Sequence, residues 1–368
     1  MNRTDRTHCV RSFHASRLLA SYFALLVLMA GIAAAGALAH VPPPHAPESV
    51  AHKSESHTGL SVESVCITVA DLDKSIAFFQ DVLSFTLDSR AEQAGRRTEG
   101  LTGVFGSRIL SARMTLGTEH IELRQFLAPE GRPIPVDSRS NDRWFQHIAI
   151  VVSDMDRAYG LLREHHVRHA SSSPQTLPPS IPAAAGIRAF YFKDPDGHVL
   201  EIIQFPSDKG DPRWRDAGDR VFLGIDHTAI VVADTAKSIE FYQDVLGMHV
   251  AGESQNAGDE QEHLNNVFGA RLRITSLRAS GGPGVELLEY LAPADGRPYP
   301  PDSRSNDLWS WQTNFVGAGI DALAQSLTAR DTAWVSPGVV ATEGEPDGLT
   351  FRDVDGHLVG VLDNAGAD

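Results

Sequence analysis

Three residues of this chain combine metal-binding or acid–base chemistry with strand-forming neighbours. His227 lies in the apolar and β-branched run GIDHTAIVV. Strand alternation puts Glu201, in HVLEIIQF, on a face with aliphatic and aromatic side chains, and Glu286 on a face with Leu288. A carboxylate on an apolar face is costly unless a cation or hydrogen-bond donors offset the cost. Taken singly, a strand histidine can be structural and a strand glutamate can face solvent, so both readings stay open.

The chain is a tandem duplication with a second repeat inside each half. SVESVCITVADLDKSIAFFQDVLS at 61–84 matches GIDHTAIVVADTAKSIEFYQDVLG at 224–247. FLAPEGRPIPVDSRSND at 126–142 matches YLAPADGRPYPPDSRSND at 290–307. In each quarter, strand alternation and helical spacing indicate one strand, one helix and further strands. The sequence therefore predicts four βαβββ modules, numbered here one to four in chain order.

These motifs identify a family. The module order, the opening AD..KSI.FY.DVLG and the closing F.DPDGH..E resemble the vicinal oxygen chelate superfamily over roughly residues 61–363. That superfamily contains glyoxalases, epimerases, ring-cleaving dioxygenases and bleomycin- or fosfomycin-resistance proteins. The resemblance implies an α+β fold in which the modules pair into two half-open eight-stranded barrels, each shaped as a cup. It also implies a divalent metal ion, held by the first and last strands of each module.

The ligand positions that the resemblance implies can be read in every module. They are Ser64 and Glu122, then His147 and Glu201, then His227 and Glu286, and finally Gln312 and Gly360. Consecutive pairing of modules leaves both cups incomplete. Crossed pairing gives a central cup (modules two and three) with two histidines and two glutamates, and an outer cup (modules one and four) nearly stripped of ligands. Because the intact positions all fall in the central modules, we expect crossed pairing.

The metal site expected in the central cup consists of His147, Glu201, His227 and Glu286. Two histidines and two carboxylates suit one Zn²⁺, Ni²⁺, Mn²⁺, Co²⁺ or Fe²⁺ ion. Gln312 is a weak candidate ligand. Glu122 is another, because Arg124 on the same strand face or solvent can satisfy its charge instead.

Three functions are compatible with this site. A glyoxalase- or epimerase-type lyase or isomerase would polarise a small oxygen-chelating substrate, with Glu201 or Glu286 as the catalytic base that generates an enediolate. A ring-cleaving dioxygenase is the alternative, and a non-catalytic protein that binds a small molecule or antibiotic is the third. Arg188, Arg273 and the loop residue His263 could contact the substrate. An outer-face position of the arginines and ordinary loop packing of the histidine stay open.

The N-terminal segment has the features of an export signal or a membrane anchor. Arginines precede an apolar run at 18–39 that ends in Ala37-Leu38-Ala39, which is typical of a cleaved signal peptide over 1–39. The run is also long enough to span a bilayer, so a membrane anchor is the alternative. The Pro- and His-rich residues 40–58 are predicted to form a flexible linker. We expect an exported protein, periplasmic or extracellular, or one tethered to a membrane.

Charge and repeats indicate how the rest is organised. Two glyoxalase-like units are predicted at 59–205 and 224–364, with a linker at 206–223. The chain has 32 basic and 47 acidic side chains, a net charge of −15. A negative field repels phosphate backbones, which argues against a nucleic-acid partner and leaves a small molecule as the expected one.

Overall fold

A computed structural model describes residues 59–364 of the chain, and these form four modules. Module one contains β1 (Ser61–Thr68), α1 (Leu72–Asp81), β2 (Thr86–Ala94), α2 (Arg96–Thr102), β3 (Arg108–Leu116) and β4 (Glu119–Ala128). Module two contains β5 (Gln146–Val152), α3 (Met155–Glu164), β6 (Arg168–His169), β7 (Gln175–Thr176), β8 (Arg188–Lys193) and β9 (Val199–Gln204).

The second half repeats this order. Module three contains β10 (Phe222–Val232), α4 (Thr235–Leu246), β11 (His249–Ala257), α5 (Asp259–Asn265), β12 (Arg271–Arg278) and β13 (Gly284–Ala292). Module four contains β14 (Trp311–Gly317), α6 (Ile320–Ala329), β15 (Val340–Thr342), β16 (Glu345–Arg352) and β17 (Leu358–Asp363). The segment between modules two and three includes a 3₁₀ turn at Pro212–Arg215.

The predictions for the N-terminus concern residues 1–39 and 40–58, which lie outside the described part of the chain. Within residues 59–364, no helix is both long enough and apolar enough to cross a membrane.

Each of the two sheets joins one module from each half of the chain. The first sheet has the strand order β15-β16-β17-β14-β1-β4-β3-β2, so modules four and one share it. The second has the order β11-β12-β13-β10-β5-β9-β8-β6, with β7 also beside β8, so modules three and two share it. The predicted crossed pairing is confirmed. The second sheet has nine strands instead of eight, because its module-two edge is divided into the short strands β6 and β7.

The strand directions place the ends of each module at the middle of its sheet. The first strand of every module lies parallel to the last strand of the same module. The two first strands of a sheet then pair antiparallel, β1 with β14 and β5 with β10. The four central strands of the second sheet are therefore β13, β10, β5 and β9.

The helices cover the outer sides of the sheets and close two apolar cores. Asp71, Asp154 and Asp234 cap α1, α3 and α4 by accepting hydrogen bonds from backbone N–H groups of the first turn. One core is built mainly from modules one and two, and a second mainly from modules three and four. Consecutive modules thus share apolar cores, whereas crossed modules share sheets.

Two reciprocal ion pairs join the connectors between modules, and we name them the arginine–aspartate clasp. The buried Asp142 accepts hydrogen bonds from the backbone N, Nε and Nη2 of Arg297, at 3.0, 3.0 and 2.7 Å. Asp307 accepts the same three bonds from Arg132 at the same distances. Charge-assisted pairs of this geometry are strong, so the clasp fixes the two connectors to each other.

Candidate metal centre

The four predicted ligands lie on the four adjacent central strands of the second sheet. His147 is on β5 opposite Ala229, and His227 is on β10 opposite Ala149. Glu201 on β9 is level with Ala149, and Glu286 on β13 is level with Ala229. The two histidines therefore lie on neighbouring strands, two residues apart in register. Each glutamate lies on the next strand outward.

The side chains meet at the floor of the central cup. The Nε2 atom of His147 lies 3.1 Å from Oε2 of Glu201. The Nε2 atom of His227 lies 3.7 Å from the same oxygen and 3.4 Å from Oε2 of Glu286. One ligand atom each of His147, Glu201 and His227 lies within 4.8 Å of the other two. Glu286 extends this group through its contact with His227.

The surroundings of this group are apolar, and its hydrogen bonding is incomplete. His147, Glu201 and His227 are buried, and the side chain of Glu286 is 19% exposed. In residues 59–364, His147 Nδ1 and His227 Nε2 are buried atoms without a hydrogen-bond partner. Buried polar atoms are normally paired, so an orphaned ring nitrogen facing two carboxylates fits a cation between them. The donor set is that of a borderline divalent ion.

A second set of side chains holds the first in place. Nδ1 of His227 lies 2.9 Å from Oδ2 of Asp226. Arg278 donates to both carboxylate oxygens of Asp226 at 3.0 Å, and Ser276 Oγ donates to Oε1 of Glu286 at 2.8 Å. A carboxylate on the outer nitrogen of a histidine fixes its ring orientation and tautomer, and this leaves Nε2 directed at the cup.

The charges of this cluster favour a positive charge at His227. Burial alone would lower the pKa of His227, but the carboxylates of Glu286, Asp226 and Glu201 outweigh burial and raise that pKa to about 9. Burial likewise opposes ionisation of Asp226, yet its bonds from His227 and Arg278 hold the pKa of this carboxyl well below its usual value. The carboxylates around His227 therefore favour a bound cation at this site.

The bond between Asp226 and His227 depends on a β-bulge that strand alternation does not reveal. The pairing of β10 with β5 shifts register between Ile225 and His227. A bulge of this kind re-aims side chains, so two consecutive residues, Asp226 and His227, both line the central cup. Arg278 and Tyr191 also line it and were not predicted, because nothing in their local sequence separates them from ordinary strand residues.

The three predicted substrate contacts lie elsewhere. Arg188 donates to Asp156 of α3 at 2.7 Å, and Arg273 donates to Glu289 at 3.1 Å. Both arginines alternate with cup-lining neighbours, so they project toward the helices. His263 was expected in a loop, but it lies on the short helix α5 with an exposed side chain. None of the three lines the cup.

The central cup encloses about 450 Å³. Leu272, Ile274 and Leu288 form an apolar wall, and Ile203 lines it from module two. The irregular segment between β7 and β8 contributes Leu177, Ala184 and Ile187 to the lining. The volume and the combination of an apolar wall with polar groups are typical of a small-molecule site.

The equivalent positions of the first sheet hold Ser64 and Gly360, with the weak candidate ligands Glu122 and Gln312. Cys66 is level with Glu122 and opposite Gln312, and Asn314 is level with Gly360. Arg124 Nη2 donates to Glu122 Oε2 at 2.7 Å, which confirms that an arginine on the same strand satisfies this carboxylate. The Gln312 amide donates to Asn314 at 2.6 Å.

A second group of possible ligand atoms, Asp194, Asp196 and His198, belongs to the turn between β8 and β9. Oδ1 of Asp194 accepts hydrogen bonds from the backbone N–H groups of Asp196, Gly197 and His198 at 2.8–3.0 Å. Oδ2 of Asp194 lies 2.7 Å from Nδ1 of His198, whose Nε2 lies 2.6 Å from the carbonyl oxygen of Leu308. These atoms are engaged in turn structure, so the group is explained without a metal ion.

Comparison with known proteins agrees with the fold. The sequence profile of the Glyoxalase/Bleomycin resistance protein/Dioxygenase superfamily matches residues 57–202 and again residues 224–361. Two profile matches that together cover most of the chain show that it belongs to this superfamily.

Two relatives each match about two fifths of the chain. A 2-epi-5-epi-valiolone epimerase of Actinomyces sp is 32% identical over 155 residues, which are 40% of this chain and 81% of that protein. Metallothiol transferase FosB of Staphylococcus epidermidis is 28% identical over 144 residues, or 39% of this chain and 80% of that protein. Glyoxalase I from Zea mays has the same fold over 83% of this chain and 93% of its own, with a TM-score of 0.54 and 16% identity.

Proposed function

We propose that the chain is a metal-dependent enzyme of the glyoxalase or epimerase type, a lyase or isomerase with its active site in the central cup. The observation that carries the proposal is the convergence of His147, Glu201, His227 and Glu286 on one buried spot, with an orphaned Nε2 on His227. Membership of a superfamily with an epimerase and a glyoxalase among the similar proteins supports the reaction class.

The four side chains would hold one divalent ion of the series Zn, Ni, Mn, Co and Fe. Such an ion, when bound, supplies a positive charge that polarises a substrate carbonyl. Asp226 and Arg278 keep the ring of His227 in the orientation that presents Nε2 to the cup. Ser276 holds Oε1 of Glu286 and leaves its Oε2 beside His227.

The two glutamates differ in a way that assigns them different roles. Glu201 is 6% exposed, and its Oε2 lies near both histidine Nε2 atoms, so we assign it to hold the ion. Glu286 is 19% exposed and contacts one histidine only. The more accessible carboxylate can reach a proton on the carbon next to a substrate carbonyl, so we assign Glu286 as the general base.

The cup also defines the substrate class. A volume of about 450 Å³ with an apolar wall suits a small molecule with a carbonyl, a neighbouring hydroxyl and a short apolar part. The apolar wall beside Glu286 lowers the local polarity, and this strengthens the electrostatic interactions on the floor.

Metal content and proton exchange test this proposal together. Purified protein should contain about one divalent ion per chain by mass spectrometry. Loaded with that metal in D₂O, it should incorporate deuterium next to the carbonyl of hydroxyacetone, dihydroxyacetone or acetoin, as followed by NMR. Glu286→Gln should abolish the incorporation, and Glu122→Gln, at the equivalent position of the outer cup, is the matched control. Equal exchange by wild type and Glu286→Gln would refute the assignment.

A ring-cleaving dioxygenase is the second candidate, because one observation favours it. In the central cup, the ligand atoms that lie within 4.8 Å of one another come from two histidines and one glutamate, His147, His227 and Glu201. This set is that of non-haem iron oxygenases, which keep positions open for oxygen and substrate. Oxygen consumption by the iron-loaded protein with catechol as the probe separates this function from the first, which consumes none.

Export remains a proposal as well. The arginines and apolar run of 1–39 support a signal peptide or anchor. Fractionation of cells that express the full chain, with N-terminal sequencing of the product, would identify cleavage after Ala39, retention in the membrane, or neither.

A further inference from the structure

The outer cup encloses a larger cavity than the central cup. Its volume is about 920 Å³, against about 450 Å³ for the central cup. It lies between the first and fourth modules, whose ligand positions hold Ser64, Glu122, Gln312 and Gly360. In residues 59–364, no group of three His, Cys, Asp or Glu ligand atoms within 4.8 Å of one another falls in this cup. A metal site therefore does not account for the volume of this cavity.

The floor of the outer cup is rebuilt as a chain of amides. Gln312 Nε2 donates to Asn314 Oδ1 at 2.6 Å, and Asn314 Nδ2 donates to Ser64 Oγ at 3.0 Å. A Cβ atom added at Gly360 would lie 2.8 Å from Asn314 Oδ1 and still closer to Gln312 Nε2. The amides thus fill the place where a Glu201 equivalent would emerge, so the loss of that glutamate is accompanied by a packed polar replacement.

An arginine supplies the positive charge that a metal would otherwise bring. Arg124 on β4 is level with Thr68 on β1. The equivalent residue of the central cup is Leu288 on β13, which is level with Val231 on β10. Arg124 therefore stands where the central cup has an apolar leucine. Its Nη2 donates to Glu122 at 2.7 Å. Its Nε is a buried donor without a hydrogen-bond partner among the described residues. Arg113, level with Glu122 on β3, pairs with Glu63 in the same cup.

The charges of the lining disfavour an anionic ligand, and three of its carboxylates are already paired with arginines. Five carboxylates and two guanidinium groups line the cavity, which disfavours an anion. Glu63 and Glu122 are already paired with arginines, and Glu345 is paired with Arg97 at 2.6 Å. At these three carboxylates a cationic ligand gains little, because it would have to displace an arginine.

The same groups match hydroxyls. A hydroxyl both donates and accepts, whereas a guanidinium donates and a carboxylate or amide oxygen accepts. Adjacent donor–acceptor pairs such as Arg124–Glu122 can thus bind neighbouring hydroxyls of one ligand with charge-assisted bonds. We propose that the outer cup is a second, metal-free site for a neutral polyhydroxylated molecule, such as a sugar or cyclitol, and that Arg124 and Arg113 are its main binding residues.

Calorimetric titration of the metal-loaded full chain tests this site. The probes are D-glucose, myo-inositol and sucrose, with citrate as the anionic and spermidine as the cationic comparison. At least one polyol should bind with one site per chain. Arg124→Leu, which installs the side chain of the central cup, should weaken it about tenfold or more, as expected for a lost charge-assisted hydrogen bond. Arg273→Leu is the matched control, because that arginine faces the helices.

Other outcomes would overturn the proposal. Binding must survive EDTA and His227→Ala, since it uses neither the metal nor the central cup, so loss of binding on either treatment contradicts the inference. Absence of binding by all three polyols, or tighter Arg124-dependent binding of citrate or spermidine, also contradicts it. Arg113→Met provides the same readout if Arg124→Leu does not fold by circular dichroism.

Discussion

The carboxylate of Asp226 lies 2.9 Å from Nδ1 of His227, the residue that follows it in the chain. Consecutive strand residues normally point to opposite faces of a sheet. Here a bulge between Ile225 and His227 brings both into one cup, where Arg278 completes the cluster. The site thus includes its own support for a ligand histidine, built into one strand.

Removal of that support should weaken metal binding without removing a ligand. Asp226→Asn keeps the shape of the side chain but removes the negative charge that orients the His227 ring. We expect metal affinity to fall about 10- to 100-fold, the usual effect of such a change. Competition with a chromophoric chelator measures it. Glu63→Gln, at the residue before Ser64 in the outer cup, is the control and should leave affinity unchanged; equal losses in both variants would contradict the role of Asp226.

The two ligand glutamates should respond differently to the same substitution. Glu201→Gln should release most of the metal, because Glu201 Oε2 contacts both histidines. Glu286→Gln should keep metal but lose proton abstraction, with a fall in kcat of about a hundredfold or more. Metal analysis and deuterium exchange on the same samples separate the two effects. Retained exchange in Glu286→Gln with loss in Glu201→Gln would reverse the assignment.

The arrangement of ligands could be predicted because it depends on repeats. The offset between halves identifies equivalent positions, and the clustering of His147, Glu201, His227 and Glu286 in modules two and three indicates which modules share a sheet. The observed register agrees at every one of these positions. The helices α2 and α5 and the broken edge of module two were not predicted, since short elements give too few residues for a period to emerge.

The arginine–aspartate clasp should contribute strongly to stability. Asp142 is fully buried and accepts three bonds from Arg297, so Asp142→Ala should lower the free energy of unfolding by about 1–3 kcal/mol. Asp137 pairs with the same arginine at 2.9 Å but is 71% exposed. Asp137→Ala should therefore cost less than about 1 kcal/mol. Urea unfolding of both variants is the measurement, and equal losses would show that the buried pair is not special.

The turn at His198 should make stability depend on pH. Burial alone would lower the pKa of His198, but Asp194 outweighs burial and raises it above its usual value. Both ring nitrogens lie beside oxygen acceptors, which favours the protonated ring. The stabilisation that protonated His198 provides is complete below the histidine pKa of the unfolded chain, about 6.5. It is lost as the pH rises through the raised pKa of the folded protein.

The urea midpoint of the wild type should consequently fall as the pH is raised from about 6 to 9, and His198→Gln should show a flatter profile. His357, which forms a similar pair with Asp353, remains in both proteins and serves as the internal reference. Parallel profiles for the two proteins would contradict the role assigned to His198.

The sequence could not predict the supporting residues, for a physical reason. Strict alternation would place Asp226 on the face opposite His227, and only the bulge moves it into the cup. The sequence left Arg188 and Arg273 open to either face of the sheet, because their helix-side partners Asp156 and Glu289 are brought near only by tertiary packing. Residue type indicates chemistry, whereas register decides where the side chain points.

The location of the bound ion tests the central claim most directly. Crystals of the metal-loaded full chain, measured at the absorption edge of the metal, should show one anomalous peak per chain, in contact with His147 Nε2, Glu201, His227 Nε2 and Glu286. No peak should occur beside Glu122 and Gln312 in the outer cup. A peak in the outer cup, or an empty central cup in fully loaded protein, would contradict the account.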